Sequence, residues 1–487
     1  MLFTDPIFLF KFLPVVIAGF AVLLFAGTRI SRHVFLIGAS LVFYSWFKVE
    51  YLALLLGSIV VNYAIAREIL KAPGGRRQKH LLILGIVLNL GLLGVYKYLG
   101  FFAFNLNALF AVGLPDPGLL LPLAISFFTF QQISYLCDAY TGKIEAKAHT
   151  PVEYGLFVTF FPQLIAGPIV HHSEMMPQFR TSPVFQARCK MFCEGLMLFA
   201  LGLFKKLVIA DSLAPYADLV FNTVDAGQAV DMATAWTGTL AYTFQIYFDF
   251  SGYSDMAIGL GLLFGIRLPW NFNSPYKAEN ISEFWRRWHM TLSRWLRDYL
   301  YIPLGGNRKG KVRQYANNFT TMLLGGLWHG AHWNFVIWGA LHGLYLIINQ
   351  LFRAGAARVG ILEMTERFAA FRFAGWGFTF LGTVVAWVFF RATTTDGAFS
   401  MLGAMLWGLP GLSIVTDMQT STLLLAAAAI AFLAPNTKQL SEAFNRTSWS
   451  ALWTRALVYG GLTGTASAGA YLASLSVAQS PFLYFNF

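Results

Sequence analysis

Apolar runs long enough to cross a lipid bilayer recur along this chain, from residues 7–27 through to residues 454–477. A spanning helix needs about 17–25 such residues, and backbone in hydrocarbon must satisfy its own hydrogen bonds. Hydrophobic residues make up 57% of the 487 positions and charged residues 12%, against about 25% charged in soluble domains. No water-soluble fold hides that much apolar surface. The chain therefore reads as an all-α, multi-pass integral membrane protein.

Further runs fall at 34–47, 51–69, 81–99, 119–138, 152–169, 190–210, 233–249, 254–268, 317–328, 333–352, 374–391, 397–409 and 421–434. Several are too short to cross alone, so the expectation is about eleven crossings plus some half-helices. Pro and Gly within FVTFFPQLIAGPIV (157–170) predict a broken or re-entrant segment, tolerated where protein or water covers the backbone. No soluble domain, internal repeat or low-complexity tract stands out. Residues 1–487 read as a single membrane domain.

The formal charge is +12. No nucleic-acid-binding motif accompanies it, and basic residues in cytoplasmic loops facing anionic headgroups account for it. The basic stretches 28–33 and 67–80 place the first two loops of this kind on the cytoplasmic side, and 143–150, Lys205–Lys206 and 286–313 follow. Both ends of the chain are then predicted to be extracytoplasmic. The first apolar run lacks a preceding basic region and a small-residue cleavage pattern, and is read as a retained helix rather than a signal peptide. Cys137, Cys189 and Cys193 have no metal-ligand neighbours, and Cys189 and Cys193, four apart on a predicted helix, read as small apolar filler.

The stretch that could carry chemistry runs from Glu283 to Trp338. It opens EFWRRWHMTLSRWLRDYLYIPLGGNRKGK and ends GGLWHGAHWNFVIWG. Trp285, Trp288, Leu292, Trp295 and Tyr299 recur at helical spacing and predict one helix over 283–299, with Arg287, Arg294 and Asp298 on another side. Such a helix also fits a basic anchor lying at the membrane interface. Ionisable groups inside a bilayer are costly and rare, so His289, His329 and His332 stand out. Burial lowers the basicity of imidazole and keeps it neutral, as a general base for an alcohol must be. With no Asp, Glu or Cys at a helpful spacing, acid–base work is favoured over a metal site. Asp249 and Asp255 lie in the apolar run IYFDFSGYSDMAIG and are expected to pair with the Arg-rich helix or to orient a His. Gly259, Gly261 and Gly265 are read as close-packing positions, not a nucleotide loop.

The motifs FDFSGYSDMAIG, NFNSPY, FWRRWHMTLSRWLRDYLYIPLGGNR and GGLWHG, with FLFKFLP, FFPQLIAGPI and SPFLYFNF elsewhere, resemble the bacterial membrane-bound O-acyltransferase (MBOAT) family. The similarity is greatest to the branch typified by the membrane subunit of alginate O-acetylation, and it spans essentially the whole chain. It implies a multi-helix, funnel-shaped bundle around a central catalytic tunnel, with core motifs in 246–345, in a bacterial inner membrane. By this resemblance His329 corresponds to the catalytic His and His289 to the second motif His. Trp285, Trp328, Asp249 and Asp255 would support them, and Arg287, Arg294, Arg308 and Lys309 would draw the donor. The donor would be acetyl-CoA or another acyl thioester, with no bound cofactor. The acyl group would leave toward extracytoplasmic partner enzymes that acetylate alginate, cellulose, peptidoglycan or another polysaccharide. The aromatic segment SPFLYFNF resembles the tail of a small partner protein in the D-alanylating branch, which makes Tyr484 a candidate acyl relay, beside its reading as an interfacial anchor. A rival reading from another class is a transporter or exporter in which His and Asp relay protons; a third is acyl transfer to lipid.

Overall fold

The computed structural model describes residues 1–71, 74–145, 149–181, 183–408, 411–414, 417–447, 459–471 and 482–483. Regular structure among them is helical, apart from one isolated bridge between Val230 and Leu412. Five described helices are long and apolar enough to cross a membrane: Phe8–Ala26, Glu50–Lys71, Arg76–Phe110, Trp333–Arg358 and Ala369–Arg391. A sixth crossing arises if Met418–Phe432 and Thr437–Arg446, bent by 45° at their junction, form one broken span. The molecule is an all-helical membrane protein.

The chain divides into two compact units, Met1–Phe199 with Tyr253–Pro269, and Ala200–Gly252 with Trp270–Phe487. In the first unit Glu50–Lys71, Arg76–Leu93 and Ile125–Tyr140 pack on one another, and Asn62 and Asn89 exchange buried side-chain hydrogen bonds between two of them. The predicted break in 157–170 is present. Pro151–Thr159 stops at Phe160, whose ψ of 105° leaves the helical region, and the four-residue turn Phe161–Leu164 follows. The Ser40 hydroxyl accepts the Phe161 N–H released there, so the exposed donor is satisfied inside protein, as a break at membrane depth requires. Gly259 lies against the main chain of residues 195 and 199: a Cβ on it would come 2.6 Å from the Gly195 carbonyl oxygen. Close packing is thus its role, whereas Gly265 serves a turn at φ +79°.

Two runs expected to be separate, 233–249 and 254–268, join in a single 32-residue helix, Met232–Leu263. The interval SGYS (251–254) lies at the junction of the two runs. It is a packing notch, where Gly252 lets the Gly202 carbonyl approach within 2.8 Å of the point a Cβ would occupy.

The second unit is built around the hairpin of Lys311–His329 and Trp333–Arg358, which make the most extensive helix–helix contact of the described chain. Its seam is made of glycines. A Cβ on Gly339 would meet the Met322 carbonyl at 2.5 Å and the Gly326 Cα at 3.1 Å, so the backbones approach as only small residues allow. That register fixes where His329, the last residue of its helix, emerges. Elsewhere in this unit Lys206 is buried between two carboxylates, with Nζ 2.7 Å from Asp211 Oδ1 and 2.7 Å from Asp249 Oδ1. Lys206 is thus a buried counter-ion, and Asp249 pairs with it rather than with the Arg-rich helix as expected. Lys206 and Asp211 are five positions apart across a π-helical turn, Phe204–Ala210, a geometry that spacing rules for ordinary helices miss.

Removing one member of a buried ion cluster leaves the others charged and unpaired, at a cost of about 3–5 kcal/mol. Lys206→Met is therefore expected to lower the thermal unfolding temperature of the detergent-purified protein sharply, whereas Lys205→Met leaves it near the wild-type value; size-exclusion after a heating series checks both.

Candidate active site

All the residues that follow belong to the second unit. The stretch predicted as one helix over 283–299 is broken in two. Ile281–Arg287 ends at Trp288, whose backbone is extended, and Met290–Leu296 starts from His289, which sits at φ 42°, ψ 52°. A left-handed conformation costs a residue with a Cβ about 1–2 kcal/mol and persists only where neighbours hold it. Asn271 does the holding. Its main-chain carbonyl accepts the Met290 N–H at 2.9 Å, and its side-chain oxygen accepts the Thr291 N–H at 3.3 Å and the Thr291 hydroxyl at 3.0 Å.

The same oxygen lies 3.1 Å from His289 Nδ1. Because it already accepts from a main-chain N–H, it is the amide oxygen and not the nitrogen, and it can only accept. Nδ1 therefore carries the hydrogen, and in the neutral ring Nε2 holds the lone pair. The pattern of apolar residues in 283–299 gave no sign of this, since the anchor comes from residue 271 in the separate NFNSPY segment. Asn271 is a site residue that sequence reasoning missed.

The kink brings His289 to His329, with ring centroids 6.4 Å apart at 61°. Both rings are buried, with His289 at 0% exposure and His329 at 2%. Around His329 stand Trp328, Trp338 and Phe390, with centroids 5.0, 5.0 and 5.2 Å away. Phe250 meets His289 edge-on at 4.8 Å. Trp285 packs on Trp338 at 5.8 Å and also on a third buried imidazole, His342, at 5.1 Å. His342 stacks on Phe284 at 8° and lies 4.6 Å from Trp338. His342 was visible in the sequence but not singled out; its place one face along the helix from Trp338 is the signal that could have found it. The arrangement is a buried cluster of aromatic rings, termed the aromatic chamber, with three imidazoles among them. Among the described residues no three His, Cys, Asp or Glu side chains gather as a metal-ligand set.

The other predicted residues separate. His332 caps the N-terminus of Trp333–Arg358, its Nδ1 accepting the Asn334 N–H at 3.2 Å, and has a structural task. Asp255 is buried but falls within the first unit. Arg287 is paired with Glu283 one turn earlier. Arg294 is half-buried, while Arg308 and Lys309 are exposed on the loop that follows.

Within the segment 480–487, expected to emerge on the extracytoplasmic face, the described residues Phe482 and Leu483 are buried. The Leu483 N–H donates to Asp249 Oδ2 at 3.1 Å, and the Phe482 ring lies 5.9 Å from that of Phe250, the residue that touches His289. An anionic oxygen and an aromatic contact together hold Leu483 and Phe482 beside Asp249 and Phe250. Tyr484 itself lies outside the described residues.

Residues 140–390 match the family model described as MBOAT, membrane-bound O-acyltransferase family. A peptidoglycan O-acetyltransferase of Helicobacter pylori is 41% identical over the whole of this chain and 98% of its own length. A probable alginate O-acetylase of Pseudomonas aeruginosa is 44% identical over 89% of this chain and 81% of its own. A teichoic acid D-alanyltransferase of Streptococcus thermophilus is 30% identical over 47% of this chain. The helical architecture and these similarities agree: the chain belongs to the membrane-bound O-acyltransferase family and is an O-acyltransferase.

Proposed function

We propose that this protein takes an acetyl group from a thioester donor, acetyl-CoA or an acylated carrier, on the cytoplasmic side of a bacterial inner membrane. It delivers the group toward O-acetylation of an extracytoplasmic polysaccharide, alginate-like or peptidoglycan, with partner enzymes completing the transfer. The whole chain acts as one catalytic domain, in which about eleven crossings and shorter helices surround a tunnel. The observation that carries this reading is the pair of buried imidazoles, His289 and His329, in one aromatic chamber.

In this reaction His329, neutral in its apolar surroundings, removes the proton from an attacking hydroxyl as that oxygen bonds to the thioester carbonyl carbon. The tetrahedral intermediate collapses with loss of the thiolate, which takes the proton back from the imidazolium. His289, its ring fixed through Asn271, and the nearby indole N–H groups of Trp328 and Trp338 are the candidates to hold the donor or the developing oxyanion; donors preset at an oxyanion are worth about 3–4 kcal/mol of barrier each. Asp249 and the aromatic residues support the frame. Arg294, Arg308 and Lys309, with Arg287, would draw the donor's phosphates.

Tyr484 is the proposed acceptor of the acetyl group before it passes to the polymer. The support is that its immediate neighbour Leu483 is tied to Asp249, and that Phe482 reaches His289 through Phe250. That placement favours the relay over the reading of this segment as an interfacial anchor.

His329→Ala is expected to lower CoA release from acetyl-CoA by about 100-fold or more, the contribution of a general base, with insertion and folding retained; turnover within threefold of wild type would remove His329 from the chemistry. Tyr484→Phe keeps the ring and loses the hydroxyl. Polymer acetylation in cells is expected to disappear with this variant while purified protein still hydrolyses donor slowly, and full acetylation would exclude the relay.

A further inference from the structure

In the first unit, Arg29, Arg32 and Arg188 line one cleft together with His33, Gln178 and Thr181. No Asp or Glu is among the residues lining it. The three arginines form no ion pair among the described residues, and Nη1 of Arg188 is buried without a hydrogen-bond partner. The nearest carboxylate to act on His33, Glu153, is held by Arg180 through two 2.9 Å hydrogen bonds. The site is also built to admit the guanidinium. Residue 265 is glycine at φ +79°, and a Cβ there would sit 3.2 Å from Arg188 Nη1; Phe20 lies beneath the same group at 5.9 Å. Partial burial and then the repulsion of Arg32 both disfavour the charged form of Arg188. A planar cation kept with an unused donor beside like charges is costly unless an anion joins it.

We propose that this cleft binds a phosphate group, carried either by an anionic phospholipid headgroup or by the nucleotide end of coenzyme A. Guanidinium forks match phosphate oxygens two at a time, and three of them converge here. Thr28 caps the helix Arg29–Ser45, so Arg29 and Arg32 sit in its first turn, and the basic stretch 28–33 is of the kind read as cytoplasmic, where both sources are present. The inference does not rest on the assignment of His329 or Tyr484.

The test uses full-length protein in nanodiscs of neutral lipid. Arginine modification by phenylglyoxal is read by peptide mass spectrometry on the wild type, with phosphatidylglycerol or coenzyme A added in turn. Protection of Arg32 and Arg188 by at least threefold in either arm is expected. Protection by phosphatidylglycerol identifies a lipid site, and protection by coenzyme A a donor-phosphate site. Arg32→Gln/Arg188→Gln should then hold the protective probe at least tenfold more weakly in equilibrium binding. Equal modification with and without both probes overturns the proposal, as does unchanged binding by the folded double variant. Because the footprint is taken on the wild type, a variant that fails to fold does not obscure the answer.

Discussion

One side-chain oxygen, Oδ1 of Asn271, determines the shape of the candidate active site. It receives the Thr291 N–H and hydroxyl and the Nδ1–H of His289, and so keeps a residue with a Cβ in the left-handed region at the junction of two helices. Without that anchor the 281–296 segment would follow its apolar pattern as a continuous helix, and the His289 ring would point elsewhere. A single buried acceptor thus sets backbone, tautomer and ring direction together. Its local dielectric is low, which strengthens each of these hydrogen bonds.

His329 is placed by different physics. The glycine seam of Gly326 and Gly339 lets two helices approach at backbone distance, so the hairpin has one register and its C-terminal His one position. The aromatic rings then close the space. Trp338 touches both His329 and His342, and Phe250 joins His289 to the segment that ends at Leu483. Polar anchoring, small-residue packing and aromatic filling each fix a different part of the same chamber. The buried Lys206 cluster adds the fourth constraint, because Asp249 is shared between that ion pair and the Leu483 N–H. Charge balance in the interior and the placement of Leu483 therefore involve one carboxylate.

Much of this was legible in the sequence. Helical class, the break in 157–170, and His289 and His329 as a pair follow from hydropathy, Pro and Gly positions, and ionisable residues in apolar runs. What was not legible depends on contacts between distant segments. The kink at His289 is imposed from residue 271, and the partner of Asp249 is Lys206, far earlier in the chain on a π-helical turn. Periodicity within 283–299 cannot report either. The fusion of 233–249 with 254–268 was hidden because Ser and Gly at 251–254 look like a turn when their packing partners are unknown. Burial of Phe482 and Leu483 was hidden for the same reason: an aromatic, nearly uncharged tail suits an interface or an interior equally until its hydrogen-bond acceptor is seen.

The proposed reaction is acyl transfer at the His pair to Tyr484. The most direct measurement exposes purified protein in nanodiscs to radiolabelled acetyl-CoA, quenches in acid and maps label by peptide. Wild-type label on the peptide containing Tyr484, absent from His329→Ala, is the predicted result. Donor turnover that depends on His329 with no label on that peptide, under conditions where polymer and partners are withheld, would contradict the relay; label unchanged in His329→Ala would contradict the reaction centre itself.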